Sequence, residues 1–361
     1  MALTQVDQGL LGTYAQYTGF KNRLINSAMV IDQRNAGASV TPSADGYTLD
    51  RWNYQASQTS KFTIQQNKGS LTGTNLPIGF QNYLGMSVAS AVTIGSSDYF
   101  MISQYVEGFN TADLQWGTAN AKTVTLSFQV YSSLTGTFGG ALQNSASDRS
   151  YPFSYTISSA NTWTSVSVTI AGDTSGTWIG ATNGLGIRVR FALGVGTALS
   201  GTAGAWNGNN NFSATGATSV VGTSGATFYI TGVQLEKGST ATSFDYRPYS
   251  AELAMCQRYY LMIDGDTMLA GRQNNTNQVV AAIPAPVALR ATPTVSFVGG
   301  ATIRLATQSG YKDSTSTTVS IGSTSTNKVY IMVVFNGFSG VSDWYVGNPQ
   351  LSATLQLSAE L

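Results

Sequence analysis

The sequence predicts an all-β protein: an antiparallel jelly-roll β-sandwich followed by a smaller β-sandwich, with a short linking helix. Three observations carry this. Gly is 39 of 361 residues, Ser and Thr are abundant, and Lys, Glu and Leu are scarce, a balance poor in helix formers and rich in turn and strand residues. Many short segments alternate apolar and polar residues with period two, so each has one buried and one solvated face. Turn residues recur between them, as they do in sandwiches and jelly rolls.

Residues 1–21 have few apolar positions and no alternation, and they read as an extended arm. A strand is expected over Leu24–Asp32, and a second stretch over Tyr47–Tyr54. "SKFTIQQ" sets Phe62 and Ile64 against polar neighbours, and "TVTLSFQVY" sets Val124, Leu126, Phe128 and Val130 against Thr125, Ser127 and Gln129. "TSVSVTI" and "IRVRFAL" repeat the pattern, the latter with Arg188 and Arg190 on the solvated side. In "ATFYITGVQLE" the apolar parity slips from Phe228 and Ile230 to Val233 and Leu235 across Gly232, the mark of a β-bulge. This jelly roll is expected over residues 22–249. Ser250 reads as an N-cap and Ala251–Gln257 as the helix, within a linker over 250–262. Six further strand-like segments over 263–361 predict the second sandwich.

The chain has no histidine, one cysteine and 17 Asp plus Glu. The usual Ser-His-Asp and Cys-His arrangements are therefore excluded, as are most zinc sites. The net charge of +1 leaves no basic footprint for nucleic acid. No stretch reaches the ~18 apolar residues of a membrane helix, and the start lacks the pattern of a signal peptide. No enzyme is expected. Cofactors are not expected either, apart from a structural calcium for which Asp45 and Asp50 are the candidates, with an Asp-Gly turn as the plain alternative. Asp264 and Asp266 read as a turn.

A neutral surface rich in Ser, Thr and Asn suits sugars, whose apolar ring faces stack on aromatics and whose hydroxyls need amides. Trp206 with Asn207, Asn209 and Asn210 is the leading glycan candidate, followed by Trp178 with Asn183, and Trp116. A packing role is the plain alternative for each tryptophan. Trp344 and Tyr345 are a weaker pair. Cys256 reads as a buried small hydrophobe. The crowd formed by Tyr246, Arg247, Tyr249, Cys256, Arg258 and Tyr259 reads as the seam between the domains.

Several segments together resemble one family. "GFKNRLINSAMVIDQRNAGASVT" with "DGYTLDRW", "YVEGFNTADLQWGTANAKTVTLSFQVYSSLTGTFGG", "TWTSVSVTIAGDTSGTW" and "ATFYITGVQLEKGSTATSFDYRPYSAELAMCQRYY" look like bacteriophage tail-fibre and virion appendage proteins. The likeness spans about residues 3–260. It implies a jelly roll like carbohydrate-binding modules, in a homotrimer on a virion, attached to other virion proteins through the arm and recognising host surface polysaccharide. A head fibre or capsid decoration without a specific ligand, and a polysaccharide depolymerase, are the alternatives.

Overall fold

The computed structural model describes residues 21–361 except 266, 268, 270, 299–302, 308–309, 315–317, 323–329, 339–348 and 352–353. The expected arm lies outside the described residues but for Lys21. In chain order the first strands are β1 (Gly46–Leu49), β2 (Trp52–Ala56), β3 (Phe62–Gln66), β4 (Leu84–Val88), β5 (Tyr99–Glu107) and β6 (Val124–Ser132). Then come β7 (Gly136–Gln143), β8 (Ser150–Ile157), β9 (Thr164–Ile170), β10 (Leu185–Val195), the short β11 (Ser200–Gly201) and β12 (Ser213–Ala214), and β13 (Thr227–Lys237). They form a six-stranded sheet in the order β1-β2-β5-β10-β7-β8 and a five-stranded sheet in the order β3-β4-β13-β6-β9. Both sheets are antiparallel throughout.

The alternating residues explain this jelly roll. The apolar set of each strand turns into one shared core, with Phe128 of β6 meeting Phe191 of β10 at 5.0 Å and Phe138 of β7 meeting Phe228 of β13 at 6.3 Å. Full burial of each such ring contributes about 2–3 kcal/mol. At Gly232 the register of β13 against β6 shifts between Thr231 and Gln234, and both apolar pairs face inwards. Gly232 has φ +60, and a Cβ there would lie 2.4 Å from the Phe80 ring. Only glycine allows both the left-handed backbone and that ring.

The segment Leu24–Asp32 is no strand. Leu24, Ile25, Met29 and Ile31 are buried as their pattern implies, but Asn26 and Met29 have φ of 55 and 58. Side-chain amides take the bonds a ladder would supply. Asn26 Nδ2 donates to the carbonyls of Ile31 (2.7 Å) and Asp50 (3.0 Å), and Asn22 Oδ1 accepts from Leu24 N and Leu235 N. Asn favours such local competition with secondary structure.

The helix α1 (Tyr249–Gln257) begins earlier than expected, with Pro248 at the N-cap and Ser250 inside the first turn. Beyond it lie β14 (Tyr260–Ile263), β15 (Gly271–Asn275), β16 (Gln278–Pro284), β17 (Thr294–Phe297), β18 (Ile303–Thr307), β19 (Gly310–Asp313), β20 (Val319–Ile321), β21 (Tyr330–Asn336), β22 (Pro349–Leu351) and β23 (Leu355–Ser358). They build three small sheets, β14-β23-β17, β15-β16-β21-β20 and β19-β18-β22, around a second apolar core that includes Val279, Ile283, Val333, Phe335, Leu355 and Leu357.

A polar joint ties the two cores together. Glu107 at the end of β5 accepts from Arg258 Nε (3.0 Å) and Nη2 (2.6 Å) and from the Tyr259 hydroxyl (2.6 Å). Glu360 accepts from Arg34 Nη2 (2.7 Å) and pairs with Arg51, whose guanidinium lies 3.6 Å over the Tyr259 ring. Arg247 donates to the Leu24 carbonyl (2.9 Å) and faces Glu252, which accepts from Asn26 N. Cys256 is fully buried beside Ile25, Ile31 and Tyr259, and burial pushes its thiol up. Arg247, Cys256, Arg258 and Tyr259 thus lie in the joint. Tyr246 and Tyr249 do not pack there. They are 54% and 63% exposed, because the chain after β13 is drawn back across the five-stranded sheet before the helix begins.

Asp50 is fully buried, and its oxygens accept from Gln33 N and Gln33 Nε2, both at 2.7 Å. Burial, opposed by Arg34 and those hydrogen bonds, raises its pKa to about 6. A carboxyl raised on folding contributes stability that is full below its unfolded value and lost as pH rises through about 6, worth roughly 3 kcal/mol at most. Glu107 has the opposite sense: burial pushes it up, but Arg258 and Tyr259 outweigh that and hold it low. Urea denaturation at pH 4 and pH 7.5 should therefore show wild type losing stability relative to Asp50→Asn as pH rises; a constant difference between the two would refute the assignment.

Candidate functional site

The β6 and β9 residues that alternate outwards from the core are small or uncharged. Ser127 and Gln129 of β6 and Ser165 and Ser167 of β9 share the solvent face of the five-stranded sheet, and Ser165 Oγ donates to Gln129 Oε1 at 2.9 Å. Two loops build walls over this floor. The connection between β3 and β4 brings Ile78 and Phe80, and the segment after β13 brings Ala241, Thr242, Ser243, Phe244 and Tyr246. The result is a cleft of about 390 Å³.

The second wall is held by buried polar groups. Glu236 is 3% exposed, and it accepts from Thr242 N (2.8 Å), Thr242 Oγ1 (2.7 Å) and Gln234 Nε2 (2.9 Å). Gln234 Oε1 accepts from Asp245 N at 2.8 Å. With the loop fixed, Phe80, Phe244 and Tyr246 form a mutual aromatic cluster with centroids 4.8–5.5 Å apart, seated over Gly232. Tyr246 keeps half its surface in solvent, and Ile78 is fully exposed. No residue lining the cleft is charged. It offers apolar ring faces on the walls and hydroxyl and amide groups on the floor, the mixture that small-molecule sites use for orientation and specificity.

Two residues further along the same strands stands an aromatic ridge. Tyr131 stacks on Tyr229 at 5.0 Å and 8°, while Trp163 lies 5.6 Å from Tyr131 and 5.8 Å from Tyr83. Tyr83 is buried under the loop that follows β3, accepts from Leu71 N and donates to the Lys68 carbonyl. Burial pushes its pKa up to about 12. Tyr131 and Trp163 are half-buried and continue the face of the cleft.

The expected glycan residues are brought together elsewhere. Trp116, Trp178 and Trp206 meet one another edge to face, with centroids 4.8, 5.2 and 5.4 Å apart, and Tyr151 packs on Trp206 at 5.3 Å. Each indole nitrogen is engaged: Trp116 with the Lys122 carbonyl (2.7 Å), Trp206 with the Ala171 carbonyl (2.7 Å), and Trp178 with Asp173 and the Ser175 carbonyl. Asp173 in turn accepts a bidentate pair from Arg149, both bonds at 2.7 Å. Asn207 Oδ1 accepts from Ser150 Oγ, and Asn210 Oδ1 accepts from Gln143 Nε2, so these amides pin their loop to the six-stranded sheet. Asn209 is exposed, but its carbonyl accepts from Ser150 Oγ at 2.7 Å. Asn183 lies apart from them at the joint, exchanging bonds with the Arg290 carbonyl and guanidinium.

The calcium candidates do not form a metal site. Asp45 accepts from Gln55 Nε2 and Ala56 N, and the Asp50 oxygens are taken by Gln33. Among the described residues no three metal-ligating side chains gather. Asp266, Trp344 and Tyr345 lie outside the described residues.

The cleft was partly visible in the sequence. The outward parity of Ser127, Gln129, Ser165 and Ser167 marks a solvated, uncharged face. Phe80, Phe244 and Tyr246 had no such signal, since loops carry no period.

No protein-family model matches this chain, and no curated protein matches it. Solved structures similar to it include the enzymatically active domain of tailspike protein 4 of bacteriophage CBA120, at 10% identity and TM-score 0.31, covering 52% of this chain and 20% of that one. Another is TmCBM61 in complex with β-1,4-galactotriose, at 9% identity and TM-score 0.30, covering 60% and 99%. A third is the family 11 carbohydrate-binding module from Clostridium thermocellum with a mixed-linked tetrasaccharide, at 10% identity and TM-score 0.27, covering 58% and 100%. These TM-scores are too low to bear on what this chain binds.

Trp206→Ala should act on stability, because it removes a ring that three others pack against. A loss of about 2–4 kcal/mol is expected in chemical denaturation; a loss under about 0.5 kcal/mol would mean the cluster is not structural.

Proposed function

We propose that this chain is a non-catalytic, glycan-recognising subunit of a phage tail fibre or related virion appendage, and that the cleft on the five-stranded sheet holds the glycan. The observation that carries the reading is that cleft: an uncharged pocket with Phe80, Phe244 and Tyr246 on its walls and Ser127, Gln129, Ser165 and Ser167 on its floor. A neutral pyranose would lay its apolar face on Tyr246 and give its hydroxyls to the floor. No carboxylate or basic group lines the cleft, which favours binding over bond cleavage. The virion role is supported by the sequence resemblance over about residues 3–260, and the arm is assigned to attachment on that ground. A homotrimer would multiply weak sites into avidity.

Binding of host surface polysaccharide to immobilised protein tests the site. Tyr246→Ala and Gln129→Ala should each weaken it roughly tenfold, about the worth of one ring or hydrogen-bond contact, in variants that keep the wild-type far-UV circular dichroism. Undiminished binding by both folded variants would sink the cleft as the site. Light scattering of the full chain should read three chain masses; one chain mass would remove the trimer.

A further inference from the structure

The cleft on the five-stranded sheet is closed at one end. Its floor crosses three strands in the order β13, β6 and β9, from Gly232 through Ser127 and Gln129 to Ser165 and Ser167. Each of its two walls is pinned to β9. On one flank the loop between β3 and β4 reaches the start of β9, where Trp163 Nε1 donates to the Asn75 carbonyl at 2.8 Å. On the other flank the segment after β13 reaches the end of β9, where Thr169 Oγ1 donates to the Ser239 carbonyl at 3.0 Å. Over β13 the walls converge. Phe80 comes from the first, Phe244 and Tyr246 from the second, and the three rings meet with centroids 4.8–5.5 Å apart. A Cβ on Gly232 would strike the Phe80 ring, and one on Gly79 would strike the Tyr246 hydroxyl. Phe80 therefore lies directly on the floor, and Tyr246 directly against the opposite wall.

Behind the rings the sheet is covered. The Thr231 hydroxyl donates to the Asn82 carbonyl at 2.7 Å, and Asn67 Nδ2 donates to Asn82 Oδ1 at 2.8 Å, which ties the chain entering β4 down beside β13. None of the residues of β3 or β4 lines the cleft. The opposite end is open. β9 is the last strand of its sheet and pairs with β6. No backbone group of Thr164–Ile170 bonds to a described residue outside that ladder, so the free edge of the strand forms a sill of unpaired N–H and C=O groups. Ser165, Ser167 and Thr169 on this strand are exposed. From Gly232 to β9 is two strand spacings, about 10 Å, the length of about two sugar units.

We propose that the cleft takes the free end of a neutral glycan chain rather than its middle, an inference that rests on the glycan reading above. The terminal sugar lies against Phe80 and Tyr246 at the blind end, the next lies over Ser165 and Ser167, and the chain leaves across the edge of β9. A segment from inside a chain would need a second exit where Phe80, Phe244 and Tyr246 stand. Cell-surface polysaccharides are anchored through their reducing ends, so the end on offer is the non-reducing one. Each end then fills one cleft whatever the length of chain behind it, whereas a groove open at both ends would seat more subunits on a longer chain.

Host surface polysaccharide, released intact and separated by length, supplies probes that share the same free end. Isothermal titration of the full chain should give one subunit per non-reducing end, counted by methylation analysis, in short and long fractions alike. Borohydride reduction of the reducing end should leave binding unchanged. Ser167→Tyr, which stands a ring on the sill that the chain crosses, should weaken binding roughly tenfold or more in a variant that keeps the wild-type far-UV circular dichroism. A number of subunits per end that rises with chain length would overturn the proposal, and so would undiminished binding by folded Ser167→Tyr. Loss of binding on reduction would overturn the choice of end. Binding to no fraction at all would sink the glycan reading itself, and this inference with it.

Discussion

A carboxylate taken out of water must find donors for its oxygens, and this chain spends all four of its glutamates on that constraint. Glu107, Glu236 and Glu252 are 2%, 3% and 7% exposed, and the Glu360 side chain is equally enclosed. Glu107, Glu252 and Glu360 sit where two distant stretches meet, and Glu236 fixes the turn that follows its own strand. Glu236 holds the segment after β13, Glu252 joins the helix to the strap at Asn26, and Glu107 and Glu360 tie the second core to the first. In a protein only 10% charged, these charges act as fasteners. The cleft depends on them too: the Glu236–Thr242 bonds, together with the bond from Asp245 N to Gln234, fix Phe244 and Tyr246 against Phe80.

The two sheets give their outward rows opposite characters. The five-stranded sheet presents Ser, Gln and Thr with flanking aromatic rings, while the outward positions of β10 hold Arg188 and the 5%-exposed Arg190 under Phe212, and no described carboxylate pairs with either. The difference is written in strand parity. Between the apolar positions of β6 and β9 stand hydroxyls and an amide; between those of β10 stand Arg188 and Arg190. One sandwich thereby carries a neutral, open row on one sheet and a cationic, largely covered row on the other, over a common core.

The all-β class, the strands with clear alternation, the bulge at Gly232 and the short helix were legible because period and glycine placement are local signals. The strap at Leu24–Asp32 was misread since burial alone gives the same apolar spacing, and only the side-chain amides of Asn22 and Asn26 reveal that no partner strand is needed. The tryptophans were read in three separate loops, each with a packing role as the alternative to a ligand, and nothing local in the sequence showed that their three rings close on one another. The cleft walls come from loops whose positions are set by contacts more than 100 residues apart, such as Phe80 with Phe244, and no local pattern encodes those. Tyr246 shows the same limit: it lies two residues before Pro248 in sequence yet packs across the sheet rather than in the joint.

The second domain is entered through β14, and its last strand, β23, pairs directly with it, with Tyr260 opposite Ser358. Its first and last strands are therefore one strand spacing apart, both beside the Glu107 and Glu360 fasteners. A domain attached at a single doorway behaves like a cartridge. The lobe between those residues can be exchanged for one of another shape and sequence without re-threading the jelly roll, provided the replacement offers a matching pair of strand ends and a carboxylate for Arg34 and Arg51.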